Sequence, residues 1–305
     1  MVLYGGIEAG GTKFVCAIGT SPDDIQAEIR FPTTEPEETL GRAVDFFRQF
    51  MIKTRIRLEG IGIGSFGPLD LDPASADYGK ITSTPKDGWR FTDVKSKIEQ
   101  GTATPVVIDT DVNAAALGEG MWGAAVDLRD YLYLTIGTGI GGGLIVQGKP
   151  YHGMVHPEMG HMRLPHDPDN DPFDGVCSFH GDCFEGLASG PAILARTGQA
   201  GENLPAYHPV WELEATYIAH ALANLVCVVS PQRILLGGGV MQQEHLFPMV
   251  RLKVQQILNG YIYAASILEA ISEYIVPPKL GQRAGVLGAI ALAKKAFQQF
   301  PSSQD

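Results

Sequence analysis

One order of elements occurs twice in this chain, and that duplication restricts the fold more than any other feature of the sequence. The apolar stretch Tyr4 to Gly19 reads as two short strands around Gly10 and Gly11, a hairpin signal although the turn is not a standard two-residue one. A helical pattern follows over Glu37 to Met51, with Leu40, Val44 and Phe47 at helical spacing. The strand Ile61 to Gly64 then runs into Ser65-Phe66-Gly67-Pro68. The same order returns as the hairpin Tyr131 to Val146 turning at Gly137 to Gly143, the helix Glu212 to Val229, and the strand Arg233 to Leu236, which ends in Gly237-Gly238-Gly239. The stretch from Gly139 to Gly237 is much longer than its counterpart from Gly10 to Gly64, so the second copy carries an insertion. It holds most of the histidines and two of the four cysteines. Ala284 to Phe300 reads as a closing helix, placed to pack back on the first half. No low-complexity linker separates the halves, which predicts two lobes hinged about a shared cleft.

Composition removes several functions. A chain of 305 residues, 45% hydrophobic and 19% charged, can bury a sizeable core. Its first residues have no basic segment followed by a long apolar run, and no stretch approaches ~18 consecutive apolar residues. A soluble, unexported protein without a membrane partner is expected. Four cysteines are too few for a disulfide scaffold at this length, which predicts reduced thiols and a cytoplasmic location. A net charge of -11 with no basic patch argues against nucleic acid as a partner.

The glycine turns do not spell the familiar nucleotide motifs. Gly6 to Lys13 nearly forms a Walker A loop, but Thr12 and Lys13 are transposed and a strand follows. Gly62 to Gly67 and Gly137 to Gly142 both satisfy G-x-G-x-x-G, a weak pattern among 37 glycines, and neither opens a helix as a dinucleotide site requires. Each turn taken singly reads as nothing more than a tight turn. Two in a repeated frame, with Thr12, Lys13 and Thr138 beside bare backbone N–H groups, suit phosphates.

These residues resemble the ROK family. The resemblance is carried by Glu8-Ala9-Gly10-Gly11-Thr12-Lys13, Gly67-Pro68, Thr84-Pro85-Lys86-x-Gly88-Trp89, Asp111-Val112-Asn113-Ala114, Gly137-Thr138-Gly139, His156-x-Glu158-x-Gly160-His161 and Leu236-Gly237-Gly238-Gly239. It covers essentially the whole chain. It implies a duplicated actin-like, ribonuclease-H-like α/β fold of two lobes around a central cleft. Residues 1–117 with 287–305 would form the lobe of the first phosphate turn, the sugar and the catalytic residues; residues 118–286 would form the lobe of the second phosphate turn, the insertion and the adenine site. The implied activity is transfer of the γ-phosphoryl group of MgATP to a hexose. Glu8 departs from the family's usual Asp, and the form with Glu resembles its fructokinase branch. Glucose or mannose kinases are the runner-up. A repressor of this family would need a DNA-binding segment ahead of a phosphate turn that begins at residue 6, and a non-catalytic sugar sensor would need an idle Asp111. The family favours homodimers.

His161, Cys177, His180 and Cys183 form H-x15-C-x2-H-x2-C, a spacing that suits tetrahedral zinc closed by four protein ligands and therefore structural. The other readings are a Cys177–Cys183 disulfide or unrelated polar loop residues. The resemblance supports the same four ligands. Asp111 follows a strand at a helix start, where an Asp is either a plain N-cap or a carboxylate held ionised to take a proton from an attacking hydroxyl. By resemblance it is the catalytic base. The resemblance also carries over Glu158 and His161 as sugar partners, with Gly67, Asn113 and Lys86 lining the pocket; taken alone, Glu158 reads as a solvated loop acid. For MgATP it points to Gly10, Gly11, Thr12 and Lys13, to Thr138 and Gly139, to Gly190 and Pro191, and to Gly238, Gly239, Val240, Met241 and Gln242.

Overall fold

The computed structural model describes residues 2–298; the end of the expected closing helix, from position 299, lies outside the described residues. In chain order the elements begin with β1 (Tyr4–Ala9), β2 (Lys13–Ser21), β3 (Asp24–Pro32), α1 (Pro36–Thr54), β4 (Gly60–Ser65), α2 (Val94–Thr102), β5 (Val106–Thr110) and α3 (Asp111–Trp122). They continue with β6 (Tyr131–Ile136), β7 (Ile140–Val146), β8 (Lys149–Pro150), α4 (Phe184–Ala188), α5 (Gly190–Thr197), α6 (Val210–Val229), β9 (Ile234–Gly237) and α7 (Leu246–Leu258). Last come α8 (Ala265–Leu268), α9 (Ile271–Tyr274), β10 (Ile275–Val276) and α10 (Ala284–Phe297). The chain divides into two compact units, one of residues up to 127, 149–156 and the stretch from 282, the other of residues 128–148 and 157–281.

In the first unit the sheet order is β3-β2-β1-β4-β5, antiparallel across β3, β2 and β1 and parallel from β1 to β5. Its core joins Ile7, Phe14, Ile61, Ile63 and Ile108 to Phe47 of α1 and Trp89. The apolar stripe of α1 buries Leu40, Ala43 and Phe47, and the helix stops where Arg55 turns left-handed at φ 61° and its N–H bonds Met51 O. The helix α10 packs on β1 and β4 through Val286, Ile290 and Ala293.

In the second unit β7-β6-β9-β10 repeats the order β2-β1-β4-β5: β6 and β7 are antiparallel, β6, β9 and β10 parallel. The duplicated α/β reading of the sequence holds in each half. The bounds shift by one to three residues, most at the ends of the helices: α1 ends at Thr54 and α6 starts at Val210. The edge strand β3 is absent from the sequence reading although Ile25, Ala27, Ile29 and Phe31 alternate with polar residues; only Phe31 of the strand is buried. The helix α6 is long and apolar enough to cross a membrane by length and composition, but it is largely buried, with Trp211, Ile218 and Leu222 in the core of the unit.

Candidate active site and metal centre

The first glycine turn closes between β1 and β2, where Gly10 N–H donates to Lys13 O at 3.0 Å and Thr33 Oγ1 donates to Gly10 O at 2.7 Å. Two residues before Gly10, Glu8 sends a buried carboxylate toward the start of α10, where it accepts a hydrogen bond from Val286 N–H while its Oε2 has no hydrogen-bond partner among the described residues. Burial pushes this carboxyl above its ordinary range, against the opposing pull of Lys13 and Arg30. Lys86, expected beside the sugar, brings its side-chain stem to the phosphate turn: a Cβ at Gly11 would lie 4.0 Å from Lys86 Cδ. Its loop is anchored by Trp89, which is buried, donates Nε1–H to Thr34 O at 2.9 Å and packs on Phe14 and Phe66.

At the end of β5 the chain turns directly into α3. Thr110 is the N-cap, its Oγ1 accepting from Asn113 N–H at 3.1 Å. Asp111 is therefore the first helical residue and not the cap; its Oδ1 accepts from Val112 N–H at 2.9 Å. The capping alternative belongs to its neighbour. Asn113 is only 1% exposed, and its Nδ2 donates to Asp109 Oδ1 at 2.7 Å. Gly67 lies just past β4, with the His156 ring beside it.

The second unit gathers three glycine turns. Gly137 N–H donates to Gly139 O at 2.9 Å, closing the β6–β7 turn that carries Thr138, and Gly190 N–H donates to Gly137 O at 2.7 Å. Gly190 and Pro191 open α5 behind the Ser189 cap. Gly238 sits at φ +91°, and a Cβ there would lie 2.3 Å from Ile136 O, so only glycine lets the β9 turn reach the end of β6. Gly239 then leads into the short 3-10 turn Val240–Gln242, in which Val240 and Met241 are buried. The residues expected to hold the nucleotide in this unit thus converge.

Glu158 precedes a 3-10 turn, Met159–His161, and His161 N–H donates to Glu158 O at 3.0 Å. Gly160 fixes this turn on β7, since a Cβ there would lie 1.9 Å from Ile140 O. Although Glu158 is exposed as a residue, desolvation of its carboxyl, and then the charge of Glu185, push it up to about 7. Glu185 accepts Ile140 N–H at 2.9 Å through Oε2. It was missed in the sequence because a lone Glu in a short helix carries no signal; its proximity to Glu158 is a property of the fold.

The four Cys and His ligands come together, their ligand atoms all within 4.8 Å of one another. Cys177 Sγ lies 3.8 Å from His161 Nδ1 and 3.6 Å from His180 Nδ1, and Cys183 Sγ lies 3.5 Å from His161 Nδ1. Zinc bonds of about 2.0–2.3 Å give a tetrahedron with edges of about 3.3–3.8 Å, which these separations match. No disulfide joins Cys177 to Cys183. Without a cation, burial pushes the Cys183 thiol up to about 11, so two adjacent thiols with two imidazoles form a donor set whose charged form needs a cation. Arg163 donates to His180 O at 2.6 Å and pairs with Asp182 at 2.7 Å, bracing the loop.

The ROK family model matches residues 4–296. The chain is 46% identical over 296 residues to a fructokinase of Zymomonas mobilis, covering 96% of this chain and 97% of that one. It is 44% identical over 297 residues to a fructokinase of Pediococcus pentosaceus, covering 97% and 99%. Among solved structures, a ROK family glucokinase from Streptomyces griseus in complex with glucose and AMPPNP superposes with a TM-score of 0.73 at 26% identity, covering 96% and 99%.

Proposed function

The chain belongs to the ROK family, and from that premise we propose that it is an ATP-dependent hexose kinase acting on fructose: ATP and D-fructose give ADP and D-fructose 6-phosphate. The observation that carries the reading is full-length identity of 44% and 46% to proteins named fructokinase, in a chain that has a carboxylate at a helix start and two phosphate-suited glycine turns. Asp111 takes the proton of the attacking primary hydroxyl. The hydroxyl oxygen bonds the γ-phosphorus as the bond to the ADP oxygen breaks, a reaction governed by positioning and charge neutralisation. Gly10 to Lys13 cradle phosphate oxygens with backbone N–H groups and the Lys13 ammonium, and magnesium arrives with ATP. Thr138, Gly139, the start of α5 and the Gly238–Gln242 turn take the nucleotide, a helix N-terminus and bare N–H groups favouring its anions. Gly67, Lys86, Glu158 and His161 serve the hexose, and the buried Asn113 serves it indirectly by supporting Asp109 and the α3 start.

The donor set fits zinc, which would be held by His161, Cys177, His180 and Cys183. Bound there it would supply cross-linking of the insertion and orientation of the Glu158–His161 turn, with no open position for chemistry. His161 offers Nδ1 to that site and keeps Nε2 for a hydrogen bond. A coupled ADP-release assay over fructose, mannose, glucose and N-acetylated amino sugars tests the proposal. Fructose should give the highest kcat/KM, and a clear preference for glucose or mannose would replace it with the runner-up.

A further inference from the structure

Two histidines that the reading above leaves without a task are tied into the residues it uses. His152 and His156 lie on the segment Lys149–His156, which belongs to the first unit. His152 Nε2 meets Asp109 Oδ2 at 3.0 Å. The other oxygen of Asp109 is already taken by Thr110 N–H and Asn113 Nδ2, both at 2.7 Å, so the imidazole completes the partners of a carboxylate that is only 3% exposed. The hydrogen bond to Asp109 raises His152 above its ordinary range and so favours the donor form. Asp109 stands two residues before Asp111.

His156 is buried, and its Nε2 lies 3.1 Å from Leu69 N. A backbone N–H can only donate, so Nε2 is the acceptor and the ring proton is on Nδ1. The same ring flanks Gly67, where a Cβ would lie 3.5 Å from His156 Cε1. Gly67 and Leu69 follow the end of β4, and Asp109 lies at the end of β5; these strands are parallel neighbours, with Ser65 opposite Thr110. One short segment thus reaches, through two imidazoles, the carboxyl ends of adjacent strands, where open α/β sheets carry their ligands.

We propose that His152 and His156 are positioning residues for the acceptor sugar: His156 fixes the Gly67–Leu69 turn by accepting the Leu69 N–H, and His152 fixes Asp109 and, through the β5–α3 junction, Asp111. The proposal rests on the hexose-kinase reading. It divides the two roles, because the turn bears on sugar binding and Asp111 on the chemical step.

The test uses steady-state kinetics for fructose and MgATP, fructose binding by calorimetry, and thermal midpoints, on wild type, His156→Leu, His156→Gln and His152→Ala. In folded His156→Leu the KM and Kd for fructose should rise about tenfold, the scale of one lost buried hydrogen bond, with the MgATP KM within about twofold of wild type. His156→Gln, whose Oε1 can accept the Leu69 N–H, should recover most of that loss. His152→Ala should lower kcat about tenfold at nearly unchanged fructose Kd. Unchanged fructose constants in folded His156→Leu, fructose and MgATP constants that rise together, or wild-type kcat in His152→Ala would overturn the proposal. Should His156→Leu fail to fold, His156→Gln with a fructose Kd near wild type together with a slow His152→Ala supports it, and a Gln variant that binds as poorly as it folds well overturns it. A wild-type protein that binds fructose without phosphorylating it refutes the kinase reading alone, and the calorimetric comparison still decides the role of His156.

Discussion

Thr110 Oγ1 accepts the N–H of Asn113 at 3.1 Å, and this bond relieves Asp111 of capping α3. Stability and catalysis should therefore separate between neighbours. Thr110→Val, which keeps the shape and loses the acceptor, should cost about 1 kcal/mol of stability, and Thr110→Ser should cost much less. Asp111→Ala, which loses the Val112 N–H acceptor but not the cap, should cost less than Thr110→Val. Denaturant titration of the three variants measures this, and a large loss in Asp111→Ala would return the capping task to Asp111.

The metal centre predicts about one zinc per chain in protein purified without added metal, by elemental analysis. Its removal should raise hydrogen exchange across residues 161–183 and lower the thermal midpoint, because the remaining ties across this stretch are a few hydrogen bonds and ion pairs such as Arg163 to His180 O and Asp182. Cys177→Ser combined with Cys183→Ser should do the same. Protein with no zinc and full stability in the double variant would contradict a structural site.

Glu214 is buried in α6 with no hydrogen-bond partner among the described residues for either carboxylate oxygen, and burial holds its carboxyl well above the ordinary value of 4.5. A raised folded value means that the native state holds the proton longer than the unfolded one. The stability it contributes is complete below 4.5 and is lost as pH rises through the folded value. Glu214→Gln abolishes that loss, so its thermal midpoint should exceed that of wild type at neutral and alkaline pH, and the gap should close toward pH 4. A gap that widens on acidification would show a carboxylate that is paired and charged in the native state.

Glu8 and Gly285 share one space: a Cβ at Gly285 would lie 2.6 Å from Glu8 Cδ. Gly285→Ala should push the carboxylate away from Val286 N–H and impair MgATP use beside the Gly10–Lys13 turn. Glu8→Asp, one methylene shorter, should relieve the clash, so Gly285→Ala with Glu8→Asp should be more active than Gly285→Ala alone. Additive losses in the double variant would mean the two positions act independently.

The repeat was legible because apolar spacing and glycine position survive in Tyr4 to Gly64 and again in Tyr131 to Gly239. The candidate metal cluster was legible because Cys177, His180 and Cys183 are near in sequence, and only His161 had to be brought to them. Asp111 could be singled out, but its freedom from capping could not, since Thr110 and Asp111 are both good caps and only the helix geometry chooses between them. Lys86 is placed with the sugar by resemblance; that its stem also comes near Gly11, far off in the sequence, no local pattern announces. His152, His156 and Glu185 act through partners far along the chain, Asp109, Leu69 and Ile140, so no local pattern could announce them.

The central claim is that this chain moves a phosphoryl group from ATP to the primary hydroxyl of fructose with Asp111 as base. Phosphorus NMR of wild type and Asp111→Asn, each with MgATP and fructose, tests it most directly. Wild type should form fructose 6-phosphate and ADP one for one, and Asp111→Asn, folded and still binding both ligands, should be slower in kcat by ~10²–10⁴-fold. A wild type that makes no phosphosugar, or an Asp111→Asn that turns over at the wild-type rate, would contradict the account.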